Sequence, residues 1–482
     1  MARFDGFIGP AYQAPSVVAG AEACVNLFAE HNDSPGAKAP FTYYKTPGLR
    51  SFATYGIGPF RGTFAQDGRA FGVSGDTLVE VSADGVTTSL GTLANDGLPV
   101  SICSNGQAGG QLFIVSGGYG YIFSLTTNTL TQIASAGFPS GTAAMGAFLD
   151  SYFLVLLKDG ATWGVSDLED GLTWDASDRA QKSITSDNLV SLHTIGRTVW
   201  LVGTQSIEPW YNTGDTFPFA PVPGAVIRDG SAAAWGLATI SDVPFWIGSN
   251  VHGARRAYRA NGYQAQRIST TGVEHAWSQY AVISDARAWS YELRGNSFYV
   301  VTFPSAGTTW QYNVTTGLWN ELGRWVAARG AYEAHLGACH MTAFGKHLVG
   351  SRLDGTLYEL TPEAYDDAGA PLRWLRRSPH VANGPGRVFH ARVALDIEVG
   401  TTPVTDGQGD DPQVGLRWSD DGGHTWGPEL LRSTGAQGAY TTRVEWHRLG
   451  STRGPQGRVY ELFGTDPVPV AISAAFLDAG GG

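Results

Sequence analysis

The sequence predicts an all-β protein: a β-propeller of about seven blades, with six or eight also compatible, and a C-terminal β-sandwich-like domain that contains an Asp-box hairpin. Three observations predict it. Of 482 residues only 16% are charged, while 43% are apolar, 12% are aromatic and 64 are Gly, with just 3 Met and 5 Lys. That mix suits strands and tight turns better than helices. A two-strand pattern recurs at intervals of 40 to 53 residues, the spacing expected of four-stranded blades. Beyond about Leu372 the texture changes: from Pro371 onward there are 11 Arg and no Lys against 12 Asp and Glu. The preceding residues therefore carry nearly all of the net charge of −11.

Residues 1–55 read as an extended segment rich in Pro, Gly and Ala. Its opening, MARFDGFIGPAYQAPS, lacks an apolar run of signal-peptide length. The stretch Ala2 to Pro47 either reaches another chain or completes the first blade. The propeller is expected over 56–372. Its repeat is an apolar strand ending in Gly or Ser, a turn, and a second strand centred on a large apolar residue. It appears as AFGVSGDTLVEV (Ala70 to Val81), LFIVSGGYGYIF (Leu112 to Phe123), YFLVLLKDGATW (Tyr152 to Trp163) and VWLVGTQSIEPW (Val199 to Trp210). It continues as FWIGSNVHGARRAYR (Phe245 to Arg259), FYVVTFPSAGTTWQY (Phe298 to Tyr312) and HLVGSRLDGTLYEL (His347 to Leu360). Anchored on Val73, Val115, Val155, Val202, Ile247, Val300 and Val349, the intervals are 42, 40, 47, 45, 53 and 49 residues. Four-stranded sheets around an axis cover each other's apolar faces, which a lone hairpin cannot do; the competing arrangement is a set of unrelated hairpins in a sandwich. The longest interval holds TTGVEHAW, where Thr271 and Glu274 have capping-box spacing and predict a short helix. Residues 373–482 should form a separate β domain with strands over Arg387–Val399, Gln413–Asp420, Thr441–Leu449, Arg458–Gly464 and Val468–Asp478.

Within that domain, SDDGGHTW fits the pattern S-x-D-x-G-x-T-W, the Asp box of sialidase-type propellers, through Ser419, Asp421, Gly423, Thr425 and Trp426. Each residue type has a structural task. Asp421 is placed to accept backbone N–H groups of a tight turn, Gly422 and Gly423 supply positive φ, and Trp426 folds back on the turn. The motif is therefore expected to be a structural hairpin, without catalytic residues. A degenerate copy, DLEDGLTW (Asp167 to Trp174), lies in the propeller region.

Catalytic and metal motifs are missing from the sequence: it has no G-x-S-x-G elbow, phosphate-binding P-loop, H-E-x-x-H or sialidase R-I-P segment. In HLGACH, His335, Cys339 and His340 are capable ligands but too few for a structural zinc. Asp406, Asp410 and Asp411 lack the alternating order of a calcium loop. No metal, no cofactor and no enzymatic activity are expected. Cys24, Cys103 and Cys339, odd in number, imply no disulfide framework and a reducing assembly compartment. The run YFLVLL, Tyr152 to Leu157, is too short to span a bilayer, and the net acidity argues against tight nucleic-acid binding.

The chain as a whole resembles the tail-hub or nozzle proteins of short-tailed bacteriophages, the packaged-DNA stabilisation proteins. The resemblance runs through VNLFAEHNDSPGAKAPFTYYKTPGL (Val25 to Leu49), GLTWDASDRA, EPWYNTGDTFPF (Glu208 to Phe219), GYQAQRISTTGVEHA, TFPSAGTTWQYNVTTGLWNE (Thr302 to Glu321) and LRWSDDGGHTW. It implies a virion tail component, assembled in the host bacterial cytoplasm, that forms a homo-oligomeric ring of six copies below the head-to-tail adaptor protein. Such a ring continues the DNA channel, retains genomic DNA without gripping it until ejection, and docks a tailspike or tail fibre and a tail needle or plug. Two rival readings are a carbohydrate-binding or carbohydrate-cleaving propeller, suggested by the Asp box and 15 Trp, and a scaffold propeller of host type.

Overall fold

The computed structural model describes residues 2–481 apart from 12, 18, 35, 250–254 and 455. Among the described residues, seven antiparallel sheets follow one another around an axis, six contributing four strands each and the fifth contributing five, because two short strands, Gly230–Ser231 and Ala238–Ile240, share its inner edge. Six take their strands from one consecutive run. The first comprises Phe60–Gln66, Arg69–Ser74, Thr77–Val81 and Thr87–Thr92, and the second Ser101–Ser104, Gln111–Ser116, Tyr119–Ser124 and Thr129–Gln132. The third spans 143–181, the fourth 189–221, the fifth 230–267 and the sixth 287–326. The last is composite: Gly337–Ala343, Lys346–Ser351 and Thr356–Thr361 are completed by Gly48–Thr54 from the other end of the chain. Strands from both ends thus close the ring.

Packing between sheets explains the repeat. Val73, Val115, Val155, Val202, Ile247, Val300 and Val349 all fall on the second strand of their sheets and are at most 2% exposed. That strand has a neighbouring sheet on each face, so Tyr152–Leu157 is almost wholly buried along its length instead of alternating. A separate apolar cluster fills each junction, such as Phe71, Val73, Leu112 and Ile114 between the first two sheets and Phe60, Val79, Leu348 and Leu357 between the last and the first. Turn chemistry follows the strands: Gly117 and Gly118, at φ 60° and 93°, make the two-residue hairpin of the second sheet. The turn inside Phe245–Arg259 lies outside the described residues. The expected helix spans Thr271–Ser278, but its cap is Thr270, whose side chain accepts from Val273 N. Glu274 instead accepts from Ser269 Oγ and Arg267 Nε, both at 2.6 Å.

The C-terminal domain is a sandwich of two sheets. One pairs Leu27–His31, Phe41–Lys45, Ala471–Gly481, Arg387–Ile397 and Val444–His447 in that order. The other runs Ala23–Val25, Trp374–Arg377, Val459–Gly464, Gln413–Ser419 and Leu430–Ser433. Trp374, Trp446, Tyr460 and Ile472 fill the space between them, together with Phe7, Leu27 and Tyr43 from the N-terminal region. Residues 1–55 are therefore not a free extended segment: their strands belong partly to the sandwich and partly to the closing sheet. Short runs such as Ala23–Val25 and Phe41–Lys45 pair with strands hundreds of residues away, Trp374–Arg377 and Ala471–Gly481 respectively. Ala23–Val25 also continues the second sandwich sheet into the propeller, for Val25 pairs with Glu321 of the sixth sheet. One hydrogen-bonded sheet crosses the domain boundary.

Candidate functional site

The Asp-box corner closes the strand Gln413–Ser419, and all five motif residues meet in its loop. Ser419 Oγ donates to Asp421 Oδ1 at 2.6 Å and accepts from Gly423 N at 2.7 Å. Thr425 N donates to both Asp421 oxygens at 2.9 and 3.0 Å, and Thr425 Oγ1 adds a third bond at 2.6 Å. The hydroxyls of Ser419 and Thr425 hold the Asp421 carboxyl far below the usual carboxylate range. Gly422 and Gly423 have φ of 78° and 102°, and a Cβ on Gly423 would lie 3.6 Å from the Trp426 ring. The turn is locally self-satisfied, and its carboxylate is engaged by the loop.

Beneath Trp426 lies a charged layer that motif reasoning missed. Arg377 and Arg417 place their guanidinium groups 4.7 and 5.0 Å from the Trp426 ring centre. Both donate to the fully buried Glu461, Arg377 Nη2 at 2.8 Å and Arg417 Nε at 2.7 Å. Three neighbouring strands are thereby cross-linked under one ring. Asp420, adjacent to the motif aspartate, accepts from Arg458 Nε at 2.6 Å and Nη2 at 2.9 Å, and from Thr452 Oγ1 at 2.9 Å. The only sequence signal for that pair was the doubled Asp, since Arg458 lies 38 residues on.

In the degenerate copy the capping role shifts by one residue. Asp170, not Glu169, accepts from Leu172 N at 2.9 Å and Thr173 Oγ1 at 2.7 Å. Trp174 donates from Nε1 to Gly171 O at 2.7 Å and packs on Phe113 and Phe138. The other candidates have structural partners. His335 Nδ1 accepts from Gly337 N at 3.0 Å, whereas His340 Nε2 meets His347 Nδ1 at 3.1 Å. Burial pushes the Cys339 thiol up to about 11. Among the described residues no group of three or more His, Cys, Asp or Glu could hold a metal. In the Asp406–Asp411 loop, Asp411 accepts from Ser433 Oγ, and Asp410 accepts from Asp411 N.

At the propeller axis the first strands of the sheets surround a cavity of about 460 Å³, whose walls include Arg61, His193, Trp235, Arg287 and Trp289. Its described lining contains no Asp or Glu.

A seven-sheet propeller continued through one sheet into a β-sandwich defines a two-domain, all-β protein, and comparison with known families gives that architecture a place. The chain belongs to the bacteriophage P22 Gp10 family: residues 21–365 match its β-propeller model and residues 373–480 its β-sandwich model. This is a family of phage tail proteins that stabilise packaged DNA, which places the chain among virion structural proteins. No curated protein matches. Among solved structures, the virginiamycin B lyase of Staphylococcus aureus is 10% identical, with 63% of this chain and 94% of that one covered and a TM-score of 0.42. The N-terminal domain of Nup159 is 11% identical over 70% and 99% of the two chains, with a TM-score of 0.39. A computationally designed protein, Ika8, is 12% identical over 65% and 99%, also with a TM-score of 0.39. Likenesses this distant carry no functional argument.

Proposed function

We propose that this protein is the tail nozzle, a ring of six copies below the head-to-tail adaptor that continues the DNA channel, retains the packaged genome and docks a tailspike or fibre and a needle or plug. The observation that carries the reading is the match of one phage tail family to both domains in order, with little of the chain left over. The continuous sheet is consistent with that task, since strands hydrogen-bonded across two domains can carry load between an adaptor on one side and a spike on the other. In this reading the Asp box, with Ser419, Asp421, Gly423, Thr425 and Trp426, is a structural corner. The folding units are the propeller closed by 48–54 and the sandwich completed by 1–47. The chain assembles in the host cytoplasm and has no enzymatic role.

The test is to produce phage particles that lack this protein. Their heads should fill and then lose DNA, and purified protein should restore retention. Stable, full particles without it would refute the proposal. Glycan cleavage by the purified protein, abolished by a carboxylate substitution, would instead favour the carbohydrate-active reading.

A further inference from the structure

The N-terminal region is fastened to the sandwich through its backbone carbonyls by two cationic side chains. Arg376 is fully buried and has no carboxylate partner among the described residues; its guanidinium donates to Phe7 O at 2.7 Å and Gly6 O at 3.0 Å. Beyond that anchor, Gln13 and Ala21 form an antiparallel bridge, and the loop between them is closed by Ala14 N to Gly20 O at 3.0 Å and Ala19 N to Ser16 O at 2.9 Å. Val17, in that loop, sits against the Asp-box corner, where a Cβ on Gly422 would come within 3.2 Å of Val17 Cγ2. Its carbonyl is taken by His380. His380 Nε2 lies 2.6 Å from Val17 O, and Nδ1 lies 2.7 Å from Gln456 O.

A carbonyl oxygen can only accept, and a neutral imidazole carries one N–H and one lone pair. In either neutral tautomer one of the two contacts sets a nitrogen lone pair against an oxygen lone pair. Only the imidazolium donates to both, and its bonds are charge-assisted. The two sides of the clasp are not equally secure. Val381, next to His380, exchanges backbone hydrogen bonds with Arg458 at 2.8 and 2.9 Å, which holds the Gln456 side in place. The Val17 side has no such bridge to His380. The charged groups on the surrounding elements are engaged elsewhere: Arg377 with Glu461, Asp421 with Ser419 and Thr425, and Asp420 with Arg458. Glu22, one residue beyond the loop, leaves its Oε2 unpaired and gives no bond to the ring. Among the described residues the histidines with a carboxylate in ion-pair range are His31 and His447.

We propose that His380 is a proton-dependent latch that holds the loop Gln13–Ala21 on the Asp-box corner, closed while the ring carries both protons and loosened at Val17 when it loses one. The latch is separate from the tail role and does not depend on it. Arginine keeps its charge throughout, so Gly6 and Phe7 stay anchored when Val17 is released. The sign is opposite to that of acid on the rest of the fold. The neutral buried histidines, lowered by burial, favour the folded chain at high pH, whereas the latch is closed at low pH and opens as pH rises through the range of about 5 to 8 in which histidine changes charge.

Amide hydrogen exchange between about pH 5.5 and pH 8, corrected for the intrinsic dependence of exchange on pH, tests it. The Ala14 and Ala19 amides should open about tenfold more readily at the upper pH, as expected for the loss of one charge-assisted bond. Amides of Leu27–His31 should not follow. His380→Gln, whose side chain offers donors on one nitrogen only, should show the looser exchange at both pH values. Imidazole NMR signals present in the native chain and absent from His380→Gln identify the ring, and its loss of a proton should coincide with the loss of protection at Ala14 and Ala19. If the variant fails to fold, as judged by its thermal transition, replacement of Val17 O as an acceptor by an ester linkage takes its place and should abolish the pH dependence. Protection that is constant with pH, that falls only towards acid, or that changes where the ring does not titrate would overturn the proposal.

Discussion

Asn26 is the side chain on which the two domains meet. It is 1% exposed and adopts a φ of 53°, a left-handed conformation that asparagine tolerates better than most residues. Its Nδ2 donates to Gly323 O at 2.8 Å in the propeller and to Arg373 O at 2.7 Å in the sandwich, and its Oδ1 accepts from Gly323 N at 2.9 Å. Asn26→Ala strands three buried backbone groups and should cost about 3 kcal/mol, measurable by denaturant titration; a change below about 1 kcal/mol would contradict this role. Asp421→Ala should act locally. Exchange of the Thr425 amide should accelerate at least about tenfold, since that N–H loses its charge-assisted acceptor, while propeller amides keep their protection. Acid should weaken the fold. Burial lowers His193, His335 and His390 to about 4 and His340 to about 3, from 6.5. The unfolded chain takes up these protons below pH 6.5 and the folded chain does not. Stability present above 6.5 is therefore lost as pH falls towards 4, by at most about 1.4 kcal/mol per pH unit for each residue. Glu321 and Asp367, raised by burial to about 7, oppose this over the same window. With four groups against two, denaturation midpoints should fall between pH 7 and 4.5, and a flat or rising profile would be contrary.

The closing strand Gly48–Thr54 governs the ring. Leu49 is fully buried with Phe28, Val349 and Leu360 and with Phe298 and Val300 of the sixth sheet, so Leu49→Ala should cost about 3 kcal/mol, and the loss should appear as earlier exchange in both the sixth and the last sheets. If only the N-terminal residues loosened, the strand would not be the closure. This element also marks how far the sequence was legible. The seven anchors, from Val73 to Val349, stood out because a strand buried on both faces reads as an unbroken apolar run. The Asp box was equally visible, because all its partners lie within eight residues. Closure was not, for Gly48–Thr54 bears no mark of a mate beyond residue 355, and the short strand Ala23–Val25 has too few residues for any periodicity. Asp420 and Glu461 were hidden for a related reason: long-range ion pairs leave no spacing to read. The capping box misplaced the helix start by one residue because two threonines, Thr270 and Thr271, adjoin and only their backbone angles distinguish them.

At the scale of the whole molecule, a chain of net charge −11 arranged as six copies would present about −66 around a channel, which should let DNA slide without gripping it. Duplex affinity should be weak at physiological salt, and nanomolar binding with a steep salt slope would contradict an acidic or neutral lumen. Six chains of 51.2 kDa should give a ring of about 307 kDa, closed by head-to-tail contacts. The most direct test of the central claim is cryo-electron microscopy of the assembled virion tail. The account predicts six copies around the axial channel, directly below the head-to-tail adaptor, with the propeller and sandwich of each copy held as one body. One or three copies, or a position off the channel axis, would contradict it.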